Sequence, residues 1–264
     1  MTALDALIRT LAVQDRLAVA VSGGIDSTLL AHVAADVLGT GFCAVHAVSP
    51  AVPASATERV RRHAQRGGWR LDLIEAGEFD DPRYRANPVD RCYFCKRNLY
   101  ATIAGLTEGP VASGTNCDDL QDFRPGLTAA SEQGVVHPYV DAGLGKKDIY
   151  AMARRLGLDD LAVLPAQPCL ASRVETGLPI DARELAFVER VEAGLQARLG
   201  PGAVLRCRIT HQGVVIELGE TQPCDTRFKS AVAMVAELCR QNRRPFLGHR
   251  AYRRGAAFLR EAST

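Results

Sequence analysis

No part of the 264-residue chain runs through apolar residues for anything near the span of about 20 that crosses a bilayer. A membrane-embedded role is therefore not expected. Charge of one sign is equally scarce in excess: 32 Lys and Arg stand against 30 Asp and Glu, a net charge of +2. The basic bias or stripe of a dedicated nucleic-acid domain is absent. Arg59, Arg61 and Arg62, like Arg240, Arg243 and Arg244, read as solvated helix faces. Low-complexity tracts and internal repeats are missing, which excludes a solenoid or an extended disordered segment. The opening MTALDALIRTLAV places Asp5 and Arg9 where a secretory leader would be apolar. The expected location is cytoplasmic, and there the eight cysteines serve as buried, metal-bound or catalytic thiols rather than disulfides. With 47% hydrophobic and 23% charged residues, the composition is that of an ordinary globular protein.

What is present is concentrated in residues 17–28, LAVAVSGGIDST. An apolar strand runs into two glycines and then into a helix. Gly23 and Gly24 provide backbone angles closed to other residues and let an anion approach the main chain. The amides at the helix start, the positive end of its dipole and the hydroxyls of Ser22, Ser27 and Thr28 favour a polyphosphate. Asp26 adds a carboxylate that suits Mg²⁺. The Lys of a Walker A loop is missing, and so is the third glycine of the dinucleotide fingerprint. The motif points to a different nucleotide site.

Patterning predicts helices near 3–13, 28–38, 55–66, 91–105 and 146–156, with strands at 17–21, 43–48, 71–76 and 111–115. This alternation specifies an α/β class, a Rossmann-like parallel sheet with helices on both faces, whose ligands bind at the carboxyl ends of strands. Both the 22–27 loop and Gly114-Thr115-Asn116 lie at such ends. After residue 178 the rhythm changes to a helix (181–199), strands at 203–209 and 213–218, and a helix near 225–241. The linker TGLPI at 176–180 marks the expected boundary: an N-terminal domain of 1–178 and a small α+β domain of 179–264.

Cys92 and Cys95, three apart at a predicted helix start, would share one face near the positive helix end, where thiolates are stabilised. The spacing admits a metal, a redox pair or neither. Cys169 in QPCLASR follows a proline outside any regular periodicity and reads as a loop thiol made nucleophilic by a positive setting such as Arg173. Three thiolates without a fourth ligand do not suit structural zinc. They do suit a [4Fe–4S] cluster with one iron open to carry an extra sulfide. Cys43, Cys117, Cys207, Cys224 and Cys239 lack paired spacing and read as core or incidental.

Four stretches, VSGGIDST at 21–28, DRCYFCK at 90–96, GTNCDDLQDFRPG at 114–126 and PCLASR at 168–173, resemble the LarE-type sulfurtransferases of the PP-loop, or N-type ATP pyrophosphatase, superfamily. LRCRITHQGVVIEL at 205–218 and GHRAYRRG at 248–255 extend the resemblance over nearly the full chain. It implies adenylation of a carboxylate of pyridinium-3,5-biscarboxylic acid mononucleotide by ATP, and replacement of its oxygen by sulfur on the way to a nickel-pincer nucleotide cofactor. ATP would be held by Ser22, Gly23, Gly24, Asp26, Ser27, Thr28, Gly114 and Thr115, with Mg²⁺ on Asp26. In one branch of the family the cysteine matching Cys169 gives up its own sulfur and ends as dehydroalanine. In another, three cysteines hold a cluster, and Cys92, Cys95 and Cys169 match that branch.

The resemblance further assigns Arg206 and Arg208, on one strand face, to the substrate phosphate, and Glu217 and Asp225 to further metal binding. Asp225, ahead of an apolar helix, reads equally well as its N-cap. The implied partners are a small nucleotide substrate, a sulfide or persulfide donor and further copies of the chain, hexamers included. Membrane and nucleic acid are not expected. Two other activities share the loop: a tRNA thiolase, and a non-catalytic module that binds ATP without reaction.

Overall fold

A computed structural model describes residues 2–121, 124–165, 168–200, 202–219 and 226–252. The chain forms two compact units. The first gathers Met1–Asp81 with Asp90–Gln167, and the second Pro82–Val89 with Pro168–Thr264.

In chain order the elements begin with α1 (Ala3–Leu11), β1 (Leu17–Ala20), α2 (Ile25–Leu38), β2 (Phe42–Ala47), α3 (Ala54–Gly67) and β3 (Leu71–Ile74). They continue with α4 (Pro82–Arg85), which belongs to the second unit, then α5 (Arg91–Leu106), β4 (Val111–Ala112), α6 (Pro125–Glu132), α7 (Pro138–Asp141), α8 (Lys146–Arg155) and α9 (Asp159–Ala162). In the first unit the strands form one parallel sheet in the order β3-β2-β1-β4. Leu17 lies opposite Phe42, Ala44 opposite Leu71, and Ala18 opposite Val111. Parallel strands need crossovers, and the long amphipathic segments supply them as helices. Apolar clusters cover both faces of the sheet. Leu7, Leu11, Leu29, Leu30, Ile149 and Met152 pack on one side with Val19, while Tyr100, Ile103 and Ala130 pack on the other with Ala18 and Val45. The strands are accordingly apolar on both sides, as buried parallel strands are. The expected α/β architecture is the observed one.

The chain winds outward through β1, β2 and β3 and then returns to place β4 on the far side of β1. The switch point of the sheet therefore lies between β1 and β4, where a crevice opens at the strand carboxyl ends.

The second unit comprises α10 (Ala182–Leu199), β5 (Leu205–Thr210), β6 (Gly213–Leu218), α11 (Thr226–Gln241) and β7 (Phe246–Ala251). β5 and β6 form an antiparallel hairpin, and β7 adds to β6 in parallel after the α11 crossover. β7 is missing from the sequence reading because FLGHRA, with Gly248 between Leu247 and the polar pair His249-Arg250, shows no apolar alternation. The boundary also differs from the expected one. TGLPI is not a free linker: the amides of Gly177 and Ile180 donate to the carbonyls of Asn87 and Arg85 at 3.0 and 2.8 Å. The buried Asn87 amide in turn donates to the carbonyls of Glu175 and Leu178 at 2.9 and 2.8 Å. The second unit thus begins at Pro168 and incorporates the distant 82–89 segment.

Candidate functional site

At the end of β1 the chain turns at Gly23 with φ of +81°, a left-handed angle, and a Cβ there would lie 2.8 Å from the carbonyl oxygen of Ala56. Only glycine satisfies both conditions. Gly24 differs from the sequence expectation. It is the N-cap of α2 in ordinary extended conformation, φ −80° and ψ 162°, and a Cβ there would meet nothing nearer than Ser22 Oγ at 3.6 Å.

No side chain caps α2, so its first-turn amides keep their capacity to bind an anion. The hydroxyls organise the loop itself. Ser27 Oγ accepts from the Ser22 amide at 3.0 Å and lies 3.1 Å from Ser22 Oγ. Thr28 is fully buried, and its hydroxyl has no hydrogen-bond partner among the described residues. It sits beneath the loop rather than at its mouth.

Asp26 is half-buried and both its oxygens are engaged by Lys146 Nζ, at 2.6 and 2.5 Å. Lys146 opens α8, where its own amide donates to Asp118 Oδ2 at 2.5 Å. The Tyr139 hydroxyl holds the Asp26 main chain, donating to its carbonyl at 3.0 Å. From the β4 side, Gly114 packs so closely on the start of α2 that a Cβ would stand 2.7 Å from the Ser27 amide nitrogen. Thr115 Oγ1 lies 2.9 Å from Ser113 Oγ, which is 2.9 Å from His137 Nδ1. Residues 22–28 and 113–116 thus meet at the switch point, as their places at strand ends implied.

Sequence reasoning missed Lys146 and Arg59. Arg59 was expected on a solvated face, yet it is buried and donates through Nη1 to the Gly23 carbonyl at 2.8 Å. A basic run on an amphipathic helix does not reveal which of its members turns inward. The position of Arg59 one residue before the buried Val60 was the available signal.

Cys92 and Cys95 lie in the first turns of α5, both half-buried and neither in a disulfide. Cys169, also half-buried and reduced, precedes a tight turn at Leu170–Arg173 in the second unit. Among the described residues, no group of three or more His, Cys, Asp or Glu could hold a metal ion as it stands. Burial holds three of the other described thiols in their neutral form. Burial, and then Asp72, push the Cys43 thiol up to about 12. Burial also raises Cys207 and Cys239. Cys224 lies outside the described residues.

Around Cys169 the second unit builds an ion-pair network. Arg173 reaches the carbonyls of Pro168 and Cys169 through Nη1 at 2.6 and 3.1 Å, and pairs with Glu192 at 2.8 and 2.9 Å. Arg206 and Arg208 share a strand face, but their partners differ. Arg208 is buried and donates to Glu217 Oε2 at 2.8 Å and to the Ser172 carbonyl at 2.7 Å. The fully buried Glu217 gives its other oxygen to Arg250 at 2.9 and 3.1 Å. Both oxygens of Glu217 are thus paired with guanidiniums. Arg206, half-buried, lies over the Tyr252 ring at 5.6 Å. Asp225 lies outside the described residues.

Fold and site together define an α/β protein with a glycine turn and an uncapped helix start at the switch point of a parallel sheet. The chain is 41% identical over 212 residues to the uncharacterized protein slr1717 of Synechocystis sp., covering 79% of this chain and 78% of that one, and it belongs to the same family. It is 29% identical over 221 residues to the pyridinium-3,5-bisthiocarboxylic acid mononucleotide synthase of Lactiplantibacillus plantarum, covering 82% and 79% of the two chains. The uncharacterized protein MJ0830 of Methanocaldococcus jannaschii shares 29% identity over 185 residues, 69% of each chain. No family model matches. No described helix is long and apolar enough to cross a membrane.

Proposed function

We propose that this protein is an ATP-dependent sulfurtransferase that adenylates a carboxylate of pyridinium-3,5-biscarboxylic acid mononucleotide and converts it to a thiocarboxylate. The observation that carries the proposal is the loop at 22–28, with an uncapped helix behind it and a carboxylate, Asp26, at its mouth. The likeness to the Lactiplantibacillus plantarum synthase supplies the substrate class.

A carboxylate resists attack because no good leaving group departs from it, and a mixed anhydride with AMP removes that obstacle. The substrate carboxylate attacks the α-phosphorus of ATP, the bond to the β-phosphate breaks, and pyrophosphate leaves. The α2 amides, Ser22 and Lys146 surround the place where the pyrophosphate charge develops. Asp26 has the hard oxygen donors that suit Mg²⁺, which would neutralise the departing pyrophosphate. Were Asp26 to hold Mg²⁺, Lys146, which now pairs with it, would have its ammonium available to the phosphates. Sulfur next attacks the acyl carbon and AMP departs, leaving a thiocarboxylate when the sulfur's own bond to its carrier is cut.

The donor set fits a cluster in its chemistry: Cys92 and Cys95 stand one helical turn apart as reduced, half-buried thiols, and Cys169 is a third of the same kind. A [4Fe–4S] cluster on these three would supply a sulfide at its open iron. In the alternative route, Cys169 Sγ itself attacks, and loss of its α-proton breaks the Cβ–S bond to leave dehydroalanine. Arg173, holding the Cys169 carbonyl, would favour that α-proton loss by stabilising charge on the carbonyl oxygen. Anaerobic mass measurement of the protein before and after reaction separates the routes. An unchanged polypeptide mass with thiocarboxylate formed supports the cluster; loss of about 34 Da, the mass of H₂S lost in conversion of a cysteine to dehydroalanine, supports sacrifice of Cys169. Failure to form thiocarboxylate under either condition refutes the proposal. A tRNA thiolase would instead bind bulk tRNA with steep salt dependence.

A further inference from the structure

Helix α3 presents one face to the glycine turn and holds it by two separate routes. Arg59 donates from Nη1 to the Gly23 carbonyl at 2.8 Å. Thr57, two residues earlier, lies 2.9 Å from His46 Nε2, and His46 Nδ1 lies 2.7 Å from the Val21 carbonyl. A carbonyl only accepts, so His46 Nδ1 carries the proton and Nε2 accepts from the Thr57 hydroxyl. Between these anchors the Ala56 backbone fits so closely against Gly23 that no Cβ could intervene. The carbonyls of residues 21 and 23, on either side of Ser22, are therefore both tied to protein donors.

Arg59 is 8% exposed, and among the described residues it pairs with no carboxylate and makes no other hydrogen bond than that to Gly23. Asp160 acts on it only from a distance, and Arg62 repels it. A guanidinium has five N–H donors, and one that meets a single neutral acceptor keeps donors and charge for an anion. The ligand of the loop that Arg59 touches is the anion within its reach.

We propose that Arg59 is a polyphosphate-binding residue that works from behind the glycine turn: it fixes the Gly23 carbonyl outward, so the loop amides face the ligand, and its unneutralised charge favours the pyrophosphate portion of a nucleoside triphosphate. The proposal rests on the reading of the 22–28 loop as a nucleotide site. It predicts a selective effect, on the β- and γ-phosphates and not on the nucleoside monophosphate portion.

The test is calorimetry of inorganic pyrophosphate and of AMP with wild type, R59K and R59Q. R59Q is expected to lose tenfold or more in pyrophosphate affinity while AMP affinity changes less than threefold, and R59K recovers most of the loss. Equal weakening of both ligands, or none, overturns the assignment in favour of a general support of the fold. If wild type binds neither pyrophosphate nor ATP, the nucleotide reading itself fails, and that result is distinct from the first. Should R59Q not fold, the guanidinium resonance of Arg59 in wild-type protein labelled at arginine is followed instead. A shift with pyrophosphate and none with AMP supports the proposal, whereas an unmoved resonance at saturating pyrophosphate overturns it.

Discussion

Gly23→Ala should cripple phosphate binding while leaving the rest of the first unit folded, and the structure allows the size of the effect to be worked out. A non-glycine residue at φ +81° carries a strain of about 1–2 kcal/mol. The new methyl group would also stand 2.8 Å from the Ala56 carbonyl oxygen and 3.3 Å from the neighbouring backbone carbons. Those atoms belong to α3 and cannot yield without disturbing its helical hydrogen bonds. The turn must move instead, and the Arg59 bond to the Gly23 carbonyl is lost, at roughly 1.5–3 kcal/mol for a charged donor. A combined distortion of about 3 kcal/mol or more corresponds to about a hundredfold in affinity. Isothermal calorimetry with ATP and Mg²⁺ reads it directly. Gly24→Ala is the control: its extended backbone and the 3.6 Å clearance to Ser22 Oγ predict a loss below tenfold. Equal losses in the two variants, or unchanged binding in G23A, would refute the reasoning.

Further outcomes follow from other contacts. Lys146→Met leaves Asp26 without its partner; because the Lys146 side chain is 41% exposed, stability should change by under about 1 kcal/mol. Affinity for Mg²⁺ alone should rise and ATP affinity fall, both measurable by titration. In the second unit, Glu192→Ala strands the buried Arg173 (4% side-chain exposure) and removes the acceptor for the Cys207 amide. A loss of about 3–5 kcal/mol in denaturant unfolding is expected. Acid should destabilise the first unit through its histidines. Burial lowers His32 to about 4 and also lowers His46, His63 and His137. Each binds fewer protons folded than unfolded, so stability is full above about pH 6.5 and is lost as pH falls toward 4. His32→Phe, packed on Trp69 as the imidazole is, should reduce that pH slope, as read from denaturant midpoints between pH 7.5 and 4.5.

The sheet and the loop were legible because their signals are local. Buried strands at 17–20 and 42–47 read as apolar runs, and Gly23 stands where a strand gives way to a helix. What the sequence hid is tertiary. Lys146 lies far along the chain from Asp26, and nothing in KKDIY says which carboxylate it meets. Arg59 sits in a basic run that propensity assigns to solvent, but the crossover geometry turns it toward the glycine turn. Asn87 and the 82–89 segment carry no signal of joining a later unit. Arg208 and Glu217 were legible as charged strand residues, while their mutual burial is set by the register that places Arg208 opposite Val215 and Arg206 opposite Glu217.

The central claim, that the loop activates a carboxylate by adenylation, is tested most directly with substrate labelled with ¹⁸O in its carboxylates. The protein is incubated with labelled pyridinium-3,5-biscarboxylic acid mononucleotide, ATP and Mg²⁺ under anaerobic conditions, and the AMP released is weighed by mass spectrometry. The account predicts one ¹⁸O atom in the phosphate of each AMP, because the carboxylate oxygen that attacked the α-phosphorus leaves with it. AMP without label, or ADP as the nucleotide product, would contradict it.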